Sequence, residues 1–221
     1  MSSGKQVVSV NVGAPREIQW KGKRTRTCIF KEPVSGTVAV HRLHLEGDRQ
    51  ADLRVHGGPN KAVYVYPAEH YDYWRAELPG QSLPPGMFGE NLTTEGLREA
   101  EIAVGDRLRI GTAEFEVTSQ RIPCYKLAAK FGRDDMIQRF LAARRPGFYL
   151  KVLQEGALRT GDPIELLDHN ENRVTVADVA RLYTSGPDNA RDLRRAAQVA
   201  HLLENWTVRF RERIQKIEAS V

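Results

Sequence analysis

The sequence predicts a mainly β protein with α-helices: a barrel or sandwich of short strands over residues 1–168, then a three-helix unit over 169–221. Three observations carry this. Short runs of alternating apolar residues, separated by Gly and Pro, fill the first part, a pattern of antiparallel many-stranded folds and not of a doubly wound sheet. Residues 107–110, Gly111-Thr112 and residues 113–118 make the clearest hairpin, with alternation on both arms and glycine in the connection. Beyond residue 168 the alternation gives way to helical spacing.

The elements follow in order. Residues 7–12 alternate up to Gly13, and 37–40 follow Pro33 and Gly36. Residues 61–66 come after the turn His56-Gly57-Gly58-Pro59-Asn60, where paired glycines permit positive φ. A helix over 67–78 starts on Pro67, suited to a first turn, and stops at Pro79-Gly80. A second spans 134–143 and ends before Arg144-Arg145-Pro146-Gly147. Strands are expected at 147–153 and 163–167. Thr175 caps a helix to 182, with Asp178 closing a capping-box-like start. Ser185-Gly186-Pro187-Asp188 breaks it, and another helix covers 190–200. In the last one Leu203, Trp206, Phe210, Ile214 and Ile217 share a face. A unit of about 50 residues is marginal alone, so it docks on the β region or on another subunit, which makes a homodimer an expectation.

Composition narrows the classes. With 221 residues, 41% hydrophobic and 28% charged, the chain can bury a full core. No apolar run reaches the length of a membrane span, and Met1-Ser2-Ser3-Gly4-Lys5 lacks a secretory signal's apolar stretch. Two cysteines, Cys28 and Cys124, do not make a disulfide framework, so the cytoplasm is the expected location. The net charge of +5 allows an anionic partner. No nucleic-acid motif, Walker loop or Rossmann fingerprint occurs, so nucleic acid is not the expected partner.

The candidate chemistry centres on Arg121-Ile122-Pro123-Cys124-Tyr125-Lys126. It sets a thiol among basic and aromatic neighbours. A thiolate attacks electrophiles and binds soft metals. The alternative at this point is a buried structural cysteine. Four further segments stand with it: Asp52-Leu53-Arg54-Val55-His56-Gly57-Gly58-Pro59-Asn60-Lys61-Ala62-Val63-Tyr64, Phe88-Gly89-Glu90-Asn91-Leu92, Val104-Gly105-Asp106-Arg107-Leu108 and Gly147-Phe148-Tyr149. In this order and spacing they resemble the MOSC domain, shared with the C-terminal part of molybdenum-cofactor sulfurases. Trp20-Lys21-Gly22-Lys23, Ile29-Phe30-Lys31-Glu32-Pro33-Val34 and the helical tail resemble its bacterial YiiM-type branch.

The resemblance implies a closed β-barrel of the pyruvate-kinase-barrel type, and a molybdenum cofactor whose metal is ligated by Cys124, the catalytic centre. It also implies reduction of N-hydroxylated compounds, hydroxylaminopurine base analogues among them. A soft metal on dithiolene sulfurs suits a thiolate, and Pro123 fixes the backbone before it. A pterin phosphate calls for cations, so Arg54, Lys61 and Arg121 are placed at the cofactor, with Lys21 and Lys23 as a weaker pair. His56 donates to the phosphate or an oxo group, or else only caps its turn. Asn91 offers amide hydrogen bonds to the pterin, and Glu90 a structural acceptor for a neighbouring Arg. Gly147-Phe148-Tyr149 reads as core, and Cys28 has no assigned role. Two cysteines cannot hold an iron–sulfur cluster, so electrons come from a separate redox donor protein. Two other readings remain: a sulfur carrier with a Cys124 persulfide, or a non-catalytic cofactor- or nucleic-acid-binding module.

Overall fold

The computed structural model describes residues 4–49, 57–171, 173–184, 190–199 and 202–219. The fold mixes strands and helices. Its main sheet contains β1 (Gln6–Val12), β4 (Glu32–Val34), β6 (Val63–Pro67), β7 (Leu92–Glu95), β8 (Arg107–Ile110), β9 (Ala113–Gln120), β10 (Phe148–Gln154) and β12 (Ile164–Asp168). Two small ribbons stand apart: β2 (Arg16–Trp20) with β3 (Lys23–Thr27), and β5 (Val38–Val40) with β11 (Gly156–Leu158). Among the described residues six α-helices complete it, with one short 3-10 helix at Pro59–Lys61: α1 (Glu69–Glu77), α2 (Tyr125–Phe131), α3 (Met136–Ala143), α4 (Val176–Thr184), α5 (Ala190–Ala197) and α6 (Glu204–Glu218).

The strand order is β12-β8-β9-β10-β6-β7-β1-β4, all antiparallel except β6 with β7. This order has two ends, whereas the resemblance implied a closed barrel. The sheet is nevertheless strongly curled. Gln6 of β1 forms a bridge to Pro163, Val7 N–H donates to Asp162 O at 3.0 Å, and Ile164 N–H donates to Lys5 O at 2.8 Å. These contacts bring β1 to the residues that lead into β12.

Alternation decides what each face of the sheet does. Val63, Val65, Leu108, Phe115, Val117, Phe148, Leu150 and Val152 turn inward into an aliphatic core. Tyr64 and Tyr66, the alternate residues of β6, turn outward and join Trp74, Phe88, Leu127 and Phe140 from the turns and helices α1–α3. Gly147 permits the tight start of β10: its φ is +63°, and a Cβ there would lie 2.3 Å from Val65 O.

Helices α4–α6 share a third cluster around Leu182, Leu193, Trp206 and Phe210, into which Val104 also packs. Thr175 and Asp178 form the expected reciprocal cap, Asp178 N–H donating to Thr175 Oγ1 at 3.0 Å and Thr175 N–H to Asp178 Oδ2 at 3.2 Å. The unit docks on the β region through Ala177 N–H to Glu99 O, Val176 N–H to Ile102 O and Val104 N–H to Val174 O. The apolar face of α6 that suggested a dimer is thus largely covered within the chain. Two elements differ from the sequence reading. Pro67 closes β6 instead of opening α1, because its ring tolerates the end of a strand. Helix α2, directly after Cys124, was not anticipated.

Candidate functional site

A cavity of about 100 Å³ is walled by segments from six places in the chain: the end of β3 with Lys31, Asp48-Arg49, Lys61 with Tyr64 of β6, Gly89 with Asn91, Arg121 to the start of α2, and Tyr149 of β10. Four expected residues meet there, Lys61, Asn91, Arg121 and Cys124. Cys124 sits at the N-terminal end of α2 in extended backbone, φ −126°, its side chain making no capping hydrogen bond. It is partly buried, and neither it nor Cys28 is in a disulfide. Arg54 and His56 lie outside the described residues.

The polar floor is built around Asp48, 1% exposed. Its carboxylate pairs with Lys31 Nζ and accepts hydrogen bonds from Gly13 N–H and Asn91 Nδ2, each at 2.9 Å. Asn91 Oδ1 accepts Tyr64 N–H at 3.0 Å. The Asn91 amide, expected to face a pterin, is therefore engaged by the protein's own groups and fixes the floor. Gly89, φ +79°, lets this wall close on Ile29, whose Cγ1 would be 2.7 Å from an added Cβ.

The remaining walls carry cations. Arg121 is buried, donates to Phe88 O and lies 4.7 Å over the Tyr64 ring. Burial opposes its charge, but Tyr64, Tyr149 and Cys124 outweigh burial and hold its pKa above the usual range. Burial pushes the Lys61 ammonium down. Lys126, 7% exposed, makes no hydrogen bond or ion pair with any described residue. A buried ammonium so placed is costly unless an anion joins it. One turn further along α2, Lys130 donates to Ile29 O at 2.9 Å and Gly86 O at 2.6 Å, tying two walls together. Burial pushes its pKa down to about 7, against the pull of Glu90.

Several expectations change. Lys21 and Lys23 do not line the cavity. The hairpin turn at Lys21-Gly22 has positive φ at both residues and carries these side chains to the surface, where Lys21 pairs with Asp134 at 2.9 Å. Glu90 takes no hydrogen bond from an Arg among the described residues. It accepts from Tyr71 Oη, from Gly86 N–H at 2.8 Å and from Thr93 Oγ1 at 2.9 Å. Phe148 is core, but Tyr149 lines the cavity. Cys28 lines it too, and burial raises its pKa, outweighing Lys31. Lys31, Asp48, Arg49 and Lys126 were missed as well. Lys126 stood inside a segment already singled out, whereas Asp48 gave no local signal.

The donor set suits a soft metal with an anionic appendage. A thiol stands among Lys31, Arg49, Lys61, Arg121 and Lys126, and among the described residues of the lining Asp48 is the one carboxylate. An excess of cations fits a phosphate-bearing ligand.

Residues 52–165 match the MOSC domain model. A Bacillus subtilis protein, YflK, is 39% identical over 211 residues, 96% of this chain and 95% of its own length. A protein of Gibberella moniliformis named a reductase is 32% identical over 164 residues, 73% of this chain and 29% of the fungal one. The crystal structure of YiiM from Geobacillus stearothermophilus superposes with a TM-score of 0.80 at 33% identity, covering 95% of this chain and 99% of that one.

Proposed function

The chain belongs to the MOSC domain family, and we propose that it binds a molybdenum cofactor through Cys124 and reduces N-hydroxylated compounds with electrons from a separate protein. The curled sheet is, in this reading, the family's barrel. The observation that carries it is the cavity that gathers the Cys124 thiol and five cations, Lys126 among them with no bond to a described residue. The reductase name of the fungal relative supports the redox class. The cytoplasm stays the proposed location; among the described residues no helix is long and apolar enough to cross a membrane.

Cys124 Sγ would ligate the metal, and Arg121, Lys126, Lys31 and Lys61 would hold the anionic part of the cofactor. When bound, the cofactor would supply two-electron redox chemistry. The overall reaction breaks an N–O bond, forms N–H and releases water, consuming two electrons and two protons. The chain's own residues bind and orient. Asp48 holds Lys31 and Asn91 at the floor, and Arg121 is pinned between Phe88 O and the Tyr64 ring. Burial raises the pKa values of Tyr64 and Tyr149, so their hydroxyl protons stay in place beside the thiol at neutral pH.

The test is the molybdenum content of wild type and Cys124→Ser, purified from cells that make the cofactor and read by elemental mass spectrometry. Metal in the wild type alone is expected, together with loss of N-hydroxyl reduction in the variant. Equal metal in both proteins would sink the ligand assignment.

A further inference from the structure

Residues 16–27 carry five cations, Arg16, Lys21, Lys23, Arg24 and Arg26, against one anion, Glu17, so most of the chain's formal charge of +5 is concentrated there. All five cationic side chains are exposed. Several exposed arginines elsewhere are ion-paired: Arg98 with Glu101, Arg107 and Arg109 with Glu114, Arg194 with Glu218 and Arg195 with Asp178. On the hairpin, Lys23, Arg24 and Arg26 make no ion pair with a described residue. Glu17 stands opposite Arg26 in the ribbon's register and offsets part of this charge, and the excess of cations leaves a net positive field over the hairpin.

The hairpin is also built as a separate ribbon. β2 and β3 pair with each other in register from Arg16↔Thr27 to Trp20↔Lys23, and with no strand of the main sheet. Its two faces differ. Ile18, Trp20 and Thr25 are half-buried toward the molecule, while Glu17, Gln19, Arg24 and Arg26 face solvent. Two contacts fix it over the site: Thr25 Oγ1 and Tyr125 Oη share a hydrogen bond of 2.9 Å, and Lys21 pairs with Asp134. Tyr125 adjoins Cys124. β3 itself runs into the cavity, because Thr27 and the next residue, Cys28, line it.

We propose that the outer face of the β2–β3 hairpin is the docking surface for an acidic one-electron carrier protein that supplies the reducing equivalents. This rests on the reductase reading. Two encounters deliver the two electrons of one turnover, each oxidising one carrier by one electron, while the N–O bond breaks and water leaves. A net basic hairpin beside a redox centre suits a brief, salt-sensitive encounter steered by charge, the small and transient class of interface.

The test is the double variant Arg24→Glu/Arg26→Glu, with a strongly acidic flavodoxin as the probe. Wild type is expected to bind it at low salt, and the variant about tenfold or more weaker, with the salt dependence flattened. Flavodoxin-supported turnover should fall in parallel, while turnover driven by reduced methyl viologen stays unchanged. The neutral pair Arg24→Gln/Arg26→Gln should lie between the two. Equal flavodoxin affinity in wild type and the Glu pair would overturn the proposal. So would a Gln pair that loses as much as the Glu pair and melts at a lower temperature, since the effect would then be structural. Tighter binding to duplex DNA than to flavodoxin, lost in the same variant, would assign the face to nucleic acid instead. Flavodoxin binding that survives alongside a wild type inert with methyl viologen would support the docking face and refute the reductase reading.

Discussion

The two faces of the curled sheet share strands but not chemistry. On β6, Val63 and Val65 enter a hydrophobic interior made mostly of aliphatic side chains, whereas Tyr64 and Tyr66 enter a layer of rings that surrounds Glu90, Arg121 and Lys130. β10 repeats the division, with Phe148 and Leu150 inside and Tyr149 at the cavity. The inner face gains stability from close packing alone. The outer face buries polar groups, and rings with hydroxyl or indole handles let it do so, as where Trp74 Nε1 donates to Tyr66 Oη at 2.7 Å. A site that must hold buried cations is therefore set against aromatics, and the aliphatic side serves as its rigid backing.

This division can be broken or sharpened by substitution. The largest effect belongs to the interior. Phe115→Ala, at a fully buried inner position, should cost about 3–5 kcal/mol by urea unfolding. Metal content per folded chain should not change; a loss of metal would mean that the inner face is not mere backing. Lys126→Met should move the other way. Removing a buried ammonium that has no described partner is expected to raise stability by about 0.5–2 kcal/mol while cofactor retention falls. A destabilised variant with full retention would show that Lys126 serves the fold. Tyr64→Phe deletes the 2.7 Å hydrogen bond from Tyr64 Oη to Pro146 O and should cost about 1 kcal/mol.

The last prediction is a slope, and it is smallest near neutrality. Lys130 has its folded pKa depressed to about 7 by burial, below the unfolded value. Its unfolded state therefore binds more protons above pH 7, and its contribution to stability rises from there toward the unfolded pKa, about 10.4. Below pH 7 both states are protonated and the contribution is flat. Stability of wild type relative to Lys130→Met, followed across pH 6 to 10, should climb in that upper window. A constant difference would mean that the amine is solvated in the folded protein.

Where the signal for an element or a segment was local, the sequence was enough to place it. Alternation located β1, β6, the β8–β9 hairpin, β10 and β12, and Thr175 with Asp178 marked the start of α4. Cys124, Arg121 and Lys61 were recognisable because their segments stood in a specific order. What failed was long-range. Asp48 matters because folding brings it to Lys31 and Asn91, 17 and 43 residues away, and nothing near it in the chain announces that. Lys21 and Lys23 misled for the opposite reason: their charge was plain, but the turn that sends them outward rests on positive φ at Lys21 and Gly22, which their charge does not announce. Cys28 was set aside because a thiol at the end of a short strand carries no signal of the cavity it enters.

The self-contained bonding of the β2–β3 ribbon has an evolutionary consequence. Because its backbone ladder closes on itself, its outward residues can change without disturbing the strands that frame the thiol. Selection can thus retune one face while the chemistry behind it stays fixed. Orthologues serving different donors should diverge first at Glu17, Gln19, Arg24 and Arg26, and last along β6 and β10.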